Sequence, residues 1–398
     1  MFQNLKLLPP DPILGLNQVF QSDPNPDKIN LSIGVYQDAT GQTPIFTAVK
    51  KAEQQLIQQQ KTKSYAPQIG DPAFVQQISK LLLGDELYAE LGDRAAAVMT
   101  PGGCGALRMG AELLVQANSK SDLWVSTPTW ANHYPLLESA GLTLNSYDYY
   151  DADTHGVNFP AMMESLRSIP KGDVVLLHGC CHNPTGADIT TEQWDAVIDL
   201  LEERELVPFI DVAYQGFGGG LDTDAYGIRQ AAKRLPEVLI ASSCSKNFGL
   251  YRERTGAVMV ISPTVEQTTA ARSHILSSAR RCYSMSPYHG GGIVGHLLSD
   301  AELTLEWKTE LEQVRTRMNT LRVGLAEGLN QAQSKIDFEF VARSSGMFCF
   351  LGISRKDVLN LRSEYGIYLL ESTRINVAGL SEENLPVVID RVAKVISH

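Results

Sequence analysis

The stretch Val238-Leu-Ile-Ala-Ser-Ser-Cys-Ser-Lys246-Asn-Phe-Gly-Leu-Tyr-Arg-Glu-Arg254 decides how the chain is read. An apolar run ends in small hydroxyl residues, presents one lysine, turns at Gly249 and then offers a second cation, Arg254. Such a run, bounded by a turn signal, predicts a buried strand whose carboxyl end carries hydroxyls, an amine and a guanidinium. The set suits a cofactor with an aldehyde, for a Schiff base with Lys246, and a phosphate for Ser243 and Arg254. The bare spacing is also that of a surface lysine near a solvated arginine, so other segments have to decide.

Outward from this stretch, strand-like runs at 95–99, 123–127, 142–147, 174–178, 207–211 and 256–261 join 238–243. They alternate with helical patterns at 105–117, 131–140, 191–204, 224–235 and 264–278. This alternation predicts an α/β fold with a seven-stranded, mostly parallel sheet covered by helices. Ligands on such sheets bind beyond the carboxyl ends of the strands, where the candidate residues fall. Leu303, Trp307, Leu311, Val314, Met318, Leu321 and Leu325 mark the apolar face of a long helix from Ala301 to about Asn330. It leads into a smaller α/β unit made from residues 337–398 and the N-terminal segment.

At 398 residues the chain suits two domains, and its 43% hydrophobic and 20% charged residues are those of a globular protein. A net charge of −11 argues against a nucleic-acid partner, which needs a basic face. It leaves room for small anionic substrates, since a local arginine cluster dominates its own cleft. Apolar runs such as Val174 to Leu177 are too short for a membrane span, and Pro9-Pro10 interrupts any signal-peptide core, so a cytoplasmic protein is expected. The 6 cysteines show no C-x-x-C spacing, which points to reduced thiols rather than disulfides. His178-Gly-Cys180-Cys181-His182 has metal-like composition, but adjacent cysteines rarely close around one tetrahedral ion, and no metal is expected.

Thr100-Pro-Gly-Gly103-Cys104-Gly-Ala-Leu-Arg108 follows a strand and opens a helix, so its backbone N–H groups would be free for a phosphate. It does not match G-x-G-x-x-G, because position 108 is arginine. Trp130 follows the next strand and would either stack on a flat heteroaromatic ring or pack in a helix start. His133 would support a neighbouring group or be a satisfied interior histidine. Asn183, in an Asn-Pro turn, is placed to donate into the crevice. Asp211, in Phe209-Ile-Asp-Val-Ala-Tyr214, stands at another strand end, where a buried carboxylate needs a cationic partner. The protonated pyridine nitrogen of pyridoxal 5′-phosphate would serve, with Tyr214 bonding the ring phenolate; a helix cap is the alternative. Arg374 lies in an apolar, strand-like context, where it would grip a carboxylate or form an internal ion pair.

Taken in order, these segments resemble the fold-type I aminotransferases of the aspartate and aromatic amino acid family. The resemblance runs from Asp11 to the C-terminus and rests on HGCCHNPTG (178–186), DVAYQGF (211–217) and SCSKNFGLYRER (243–254). It implies an N-terminal arm and part of the small domain in residues 1–43, a large cofactor domain in 44–312 and a small domain in 313–398. It implies that Lys246 forms the Schiff base and moves the proton, that Asp211 pairs with the pyridinium, and that Tyr214 and Asn183 bond the ring oxygen. Trp130 would stack on the ring. Phosphate contacts would fall to Gly103, Cys104, Ser243 and Arg254, with Tyr65 from the neighbouring subunit. Arg374 would take the substrate α-carboxylate with Asn183, Trp130 and the backbone of Gly34. Arg280 would reach across a homodimer to a distal carboxylate.

Three positions depart from the family pattern. Cys104 stands where Thr or Ser is usual, Gln37 replaces a lysine common in aspartate-selective members, and Met285 replaces Asn or Ser near Arg280. The last makes that side of the pocket less polar, easier for a phenyl or indole ring to enter. The expected activity is therefore ping-pong transfer of the amino group of phenylalanine, tyrosine or tryptophan, and also aspartate, to 2-oxoglutarate. The alternatives are an aspartate aminotransferase with weak aromatic activity and, from other classes, a non-catalytic cofactor-binding regulator or a nicotinamide-dependent dehydrogenase.

Overall fold

The computed structural model describes residues 1–8, 12–332 and 336–396; Asp11 and Pro9-Pro10 lie outside the described residues. The sheet strands are β1 (Ala95–Pro101), β2 (Leu123–Thr127), β3 (Leu144–Asp148), β4 (Val174–His178), β5 (Val207–Val212), β6 (Val238–Ser243) and β7 (Thr255–Ile261). They form a 7-stranded sheet in the order β1-β7-β6-β5-β4-β2-β3. Only β7 runs antiparallel, to both of its neighbours. Every residue of β6 and β7 is buried, which is why these strands read as unbroken apolar runs: helices cover both faces. The parallel register pairs His178 with Asp211 and Asp211 with Ala241, so the last residues of β4, β5 and β6 share one edge.

Element boundaries differ from the sequence pattern where local chemistry intervenes. The helix expected from 105 begins at Gly102, because the glycine run wraps into its first turn. The helix expected over 131–140 shrinks to His133–Glu138; Trp130 to His133 is a turn, closed by His133 N–H donating to Trp130 O at 2.8 Å. The helix expected to end at 278 continues to Cys282. Helices at Thr47–Gln59, Pro72–Leu83 and Tyr288–Ser299 carry no expectation from the sequence pattern at all. The last contains Gly290-Gly-Gly292, and each glycine costs a helix about 1 kcal/mol relative to alanine. Proximity explains them: a Cβ at Gly290 would sit 1.9 Å from Thr255 Oγ1, and one at Gly291 2.3 Å from Met99 Sδ.

The described chain divides into two compact units, residues 44–317 with 344–346 and residues 1–43 with 318–343 and 347–398. The first contains the sheet. Its core gathers Val98, Leu107, Val125, Leu176, Phe209, Leu239 and Val258 around the helix Gly102–Ala117. The second pairs Ile29–Asn30 with Ile367–Tyr368 in parallel and Phe348–Phe350 with Arg374–Asn376 antiparallel. Leu325, Leu329, Leu361, Leu369, Val388 and Val392 form its separate core. No helix among the described residues is long and apolar enough to cross a membrane.

Phe209 lies in the central strand and is fully buried. Phe209→Ala should therefore cost about 3–5 kcal/mol through lost burial and the cavity left behind. A urea titration of the purified protein checks this, and an unchanged midpoint would contradict the assignment of Phe209 to the load of the core.

Candidate active site

At the edge where β1 ends, the helix Gly102–Ala117 starts with no side chain capping its amino terminus. Gly102 adopts φ +71°, and a Cβ there would lie 2.6 Å from Arg254 Nη2. Only glycine lets the guanidinium lie against this turn. A Cβ at Gly103 would approach the Cβ of Ser243 to 3.1 Å, so the end of β6 is the other neighbour of the turn. Uncapped helix N–H groups, an arginine and a serine hydroxyl make a cradle for a dianion such as phosphate. Cys104 stands in the first helical turn. Burial pushes its thiol pKa up against the opposing charges of Arg254 and Lys246, so it meets an anion as a neutral S–H.

At the end of β5, Asp211 is buried with 8% of its surface exposed. Burial alone would push its carboxyl up, but a hydrogen bond from His133 and the charges of His133, His178 and Lys246 outweigh it and hold the pKa below the usual carboxylate value. His133 Nε2 lies 3.2 Å from Asp211 Oδ2, and an ionised carboxylate only accepts, so Nε2 carries the proton. Thr129 Oγ1 stands 2.8 Å from His133 Nδ1 and 3.1 Å from His178 Nε2, linking the two imidazoles. Burial, reinforced by His133, pushes His178 down to about 3, so its charge reaches Asp211 only in acid.

Lys246 follows β6 and is partly buried, with its Nζ 5.0 Å from the centroid of the Tyr214 ring. Its charge favours the ionised forms of both Asp211 and Cys104. Asn183 is buried in the turn after β4. Asp188 anchors that turn by accepting from Cys181 N and His182 N, each at 2.8 Å, while Cys181 Sγ lies 3.9 Å from Tyr214 O. One edge of the sheet therefore holds an amine, an ionised buried acid and an anion cradle. That donor set fits a phosphorylated aldehyde carrying a basic ring nitrogen.

A family model described as "Aminotransferase class I and II" matches residues 26–392. The chain belongs to the class I and II aminotransferases. It is 45% identical over 395 residues to an aromatic-amino-acid aminotransferase of Paracoccus denitrificans, covering 99% of this chain and 100% of that one. It is 43% identical over 396 residues to the aspartate aminotransferase of Escherichia coli K12, with full coverage of both. A crystal structure of aromatic-amino-acid aminotransferase from Burkholderia pseudomallei, covalently bound to pyridoxal phosphate, superposes with a TM-score of 0.97 at 40% identity over 100% of this chain and 99% of that one.

In this aminotransferase Trp130 meets His133 edge-on, ring centroids 5.3 Å apart. Tyr65 is 89% exposed and Arg280 is exposed, its guanidinium bonded to Ser284 Oγ. Arg374 and Gly34 belong to the other compact unit. There Arg374 is buried, donates to Ser32 O at 2.9 Å and lies 4.1 Å over the Phe348 ring, which also approaches Gly34. The metal-like segment spends its histidines on hydroxyls. Ser126 donates to Pro128 O, so it accepts from His182 Nε2–H at 2.9 Å, and Thr185 bonds Nδ1 at 2.9 Å. Cys180 Sγ, Cys181 Sγ and an Asp224 oxygen do lie within 4.8 Å of one another, yet Asp224 already accepts from Gly216, Gly218 and Gly219.

Sequence reasoning did not single out Thr129 as the link between two imidazoles. Its spacing of four from His133, just after a strand, is the signal that was available. An acid held ionised in the fold contributes stability above its unfolded pKa, about 3.9, and loses it as the pH falls through the folded value. His133→Ala removes the hydrogen bond that keeps that value low, so the cofactor-free variant should lose thermal stability at a higher pH than wild type on acidification. Midpoints measured from about pH 7 to about pH 3 test this; parallel curves would dissociate His133 from Asp211.

Proposed function

We propose that this chain is a pyridoxal 5′-phosphate-dependent aminotransferase that moves the amino group of phenylalanine, tyrosine or tryptophan, and of aspartate, to 2-oxoglutarate. The observation that carries the cofactor reading is the shared edge of Lys246, Asp211 and the Gly102–Arg254 cradle. When bound, the cofactor supplies an aldehyde for the amino group and a ring that draws electrons from the substrate Cα. Asp211, kept ionised, holds the proton on the ring nitrogen. Lys246 would take the proton from the substrate Cα and deliver it to the carbon that the cofactor supplies, a relocation that its fixed place in the turn after β6 makes effectively unimolecular. Gly103, Cys104, Ser243 and Arg254 would hold the phosphate, Trp130 would stack on the ring, and Tyr214 and Asn183 would bond its oxygen. Arg374 orients the α-carboxylate, with the Gly34 backbone, Asn183 and Trp130 beside it.

The protein acts in the cytosol as a homodimer in this reading, with Tyr65 serving the phosphate and Arg280 the distal carboxylate of the neighbouring subunit's site. Their exposure on the single chain supports this. Preference for aromatic side chains rests on Met285, next to the Ser284 that holds Arg280, and on relatives of that name at 45% identity. The 43% identity to aspartate aminotransferases supports a second reading, aspartate transamination with weak aromatic activity.

Borohydride reduction of the loaded protein and peptide mapping should label Lys246, and Lys246→Ala should lose steady turnover while staying folded; a label elsewhere would sink the cofactor reading. Arg280→Ala should lower kcat/KM for aspartate on the order of a hundredfold, the scale of a lost charge-assisted bond pair, and for phenylalanine far less. Equal losses would remove Arg280 from the distal-carboxylate role. A wild-type kcat/KM for aspartate far above that for every aromatic amino acid would select the second reading.

A further inference from the structure

Beside the Cys180–Thr190 turn, whose Cys180 and Asp188 to Thr190 line it, lies a cavity of ≈ 270 Å³ to which no role in the reaction is assigned. Ordinary ligand sites run from about 300 to about 1,000 Å³, so its occupant is small. Its walls include the rings of Tyr147, Tyr149, Trp194 and Tyr226 together with the carboxylates of Asp188 and Asp224. The tyrosine hydroxyls are committed elsewhere: Tyr147 to Leu176 O at 3.0 Å, Tyr149 to Ala187 O at 2.8 Å, Tyr226 to Asp195 Oδ2 at 2.9 Å. Tyr147, Tyr149 and Trp194 are buried, and Tyr149 stacks on His182 with centroids 4.2 Å apart, so half-buried Tyr226 is the ring with most surface left for a guest. No lysine or arginine is among the lining residues, and the one lining imidazole, His178, is neutral. Arg315 acts on Asp224 but is itself paired with Glu312 at 2.5 Å.

We propose that this cavity binds a small organic ammonium ion, with the rings around the cation and Asp188 and Asp224 as its counter-charges. Aromatic rings attract a cation through their quadrupole, most strongly where water is excluded. A hard divalent metal is a poorer match, since it demands six or more oxygen ligands and gains little from rings. Among the described residues, Asp188 accepts from Cys181 N, His182 N and Ser345, and Asp224 from the N–H groups of Gly216, Gly218 and Gly219; a carboxylate has about four acceptor sites, so capacity is left on both. Burial pushes both carboxyls up, Asp188 to about 6, the strain expected of anions beside a cavity without a cation in its lining.

The test uses choline, which has no N–H and so cannot condense with the cofactor aldehyde. Calorimetric titration of the loaded protein should give saturable binding of one choline per chain. The neutral isostere 3,3-dimethylbutan-1-ol and the variant Tyr226→Leu should each weaken binding on the order of tenfold, while Tyr226→Phe, which keeps the ring, should bind as wild type. Asp188→Asn should weaken it similarly, and if that variant misfolds the Tyr226 pair decides. Absence of saturable heat, equal affinity for the neutral isostere, or choline binding untouched by Tyr226→Leu would overturn the assignment.

Discussion

A carboxylate that stays ionised where water is scarce is the constraint around which this site is arranged. Asp211 loses solvation at the end of the central strand, and a buried charge without compensation costs several kcal/mol. A hydrogen bond to a charged group returns about 1.5–3 kcal/mol. One such bond, from His133, is therefore not the whole answer, and the remainder comes from Lys246 and from fixing His133 in place. Thr129 performs that fixing, because its single hydroxyl serves His133 and His178 together. The parallel register sets His178 beside Asp211 across β4 and β5, which places the imidazole that shares the Thr129 hydroxyl.

Much of this was legible in the sequence because the chemistry sits on consecutive residues at strand ends. Lys246, Ser243 and Arg254 belong to one segment, Asp211 and Tyr214 to another, and a buried parallel strand announces itself as an apolar run that stops abruptly. Apolar periodicity also gave the long helix, observed as Ala301–Gln331. What stayed hidden depends on contacts between segments far apart in the chain. The helix Tyr288–Ser299 has glycines where helix propensity wants alanine, and close neighbours on strands and helices far away in the chain explain them. The partners of His182, Ser126 and Thr185, include one 56 residues away, which its cysteine neighbours in the sequence do not reveal.

The turn from Cys180 to Thr190 does two things at once. Its Cys181 and His182 amides are held by Asp188, and Cys181 Sγ lies 3.9 Å from Tyr214 O, which ties the turn that carries Asn183 to the end of β5. Its outer surface lines a cavity of different character, aromatic and acidic rather than cationic. A single loop thus separates a region built for anions from one that repels them, and the backbone bonds of Asp188 are the partition.

The glycine face of the helix Tyr288–Ser299 carries a mechanical consequence. Where it meets Thr255 and Met99, no rotatable side chain lies on the helix side, so the helix backbone bears directly on the Thr255 and Met99 side chains. Close-packed interfaces of that kind pass displacement on instead of absorbing it. With only the short Thr255 side chain between them, movement of this helix would be passed to β7 with little slack, and from β7 to β6, the strand that ends shortly before Lys246.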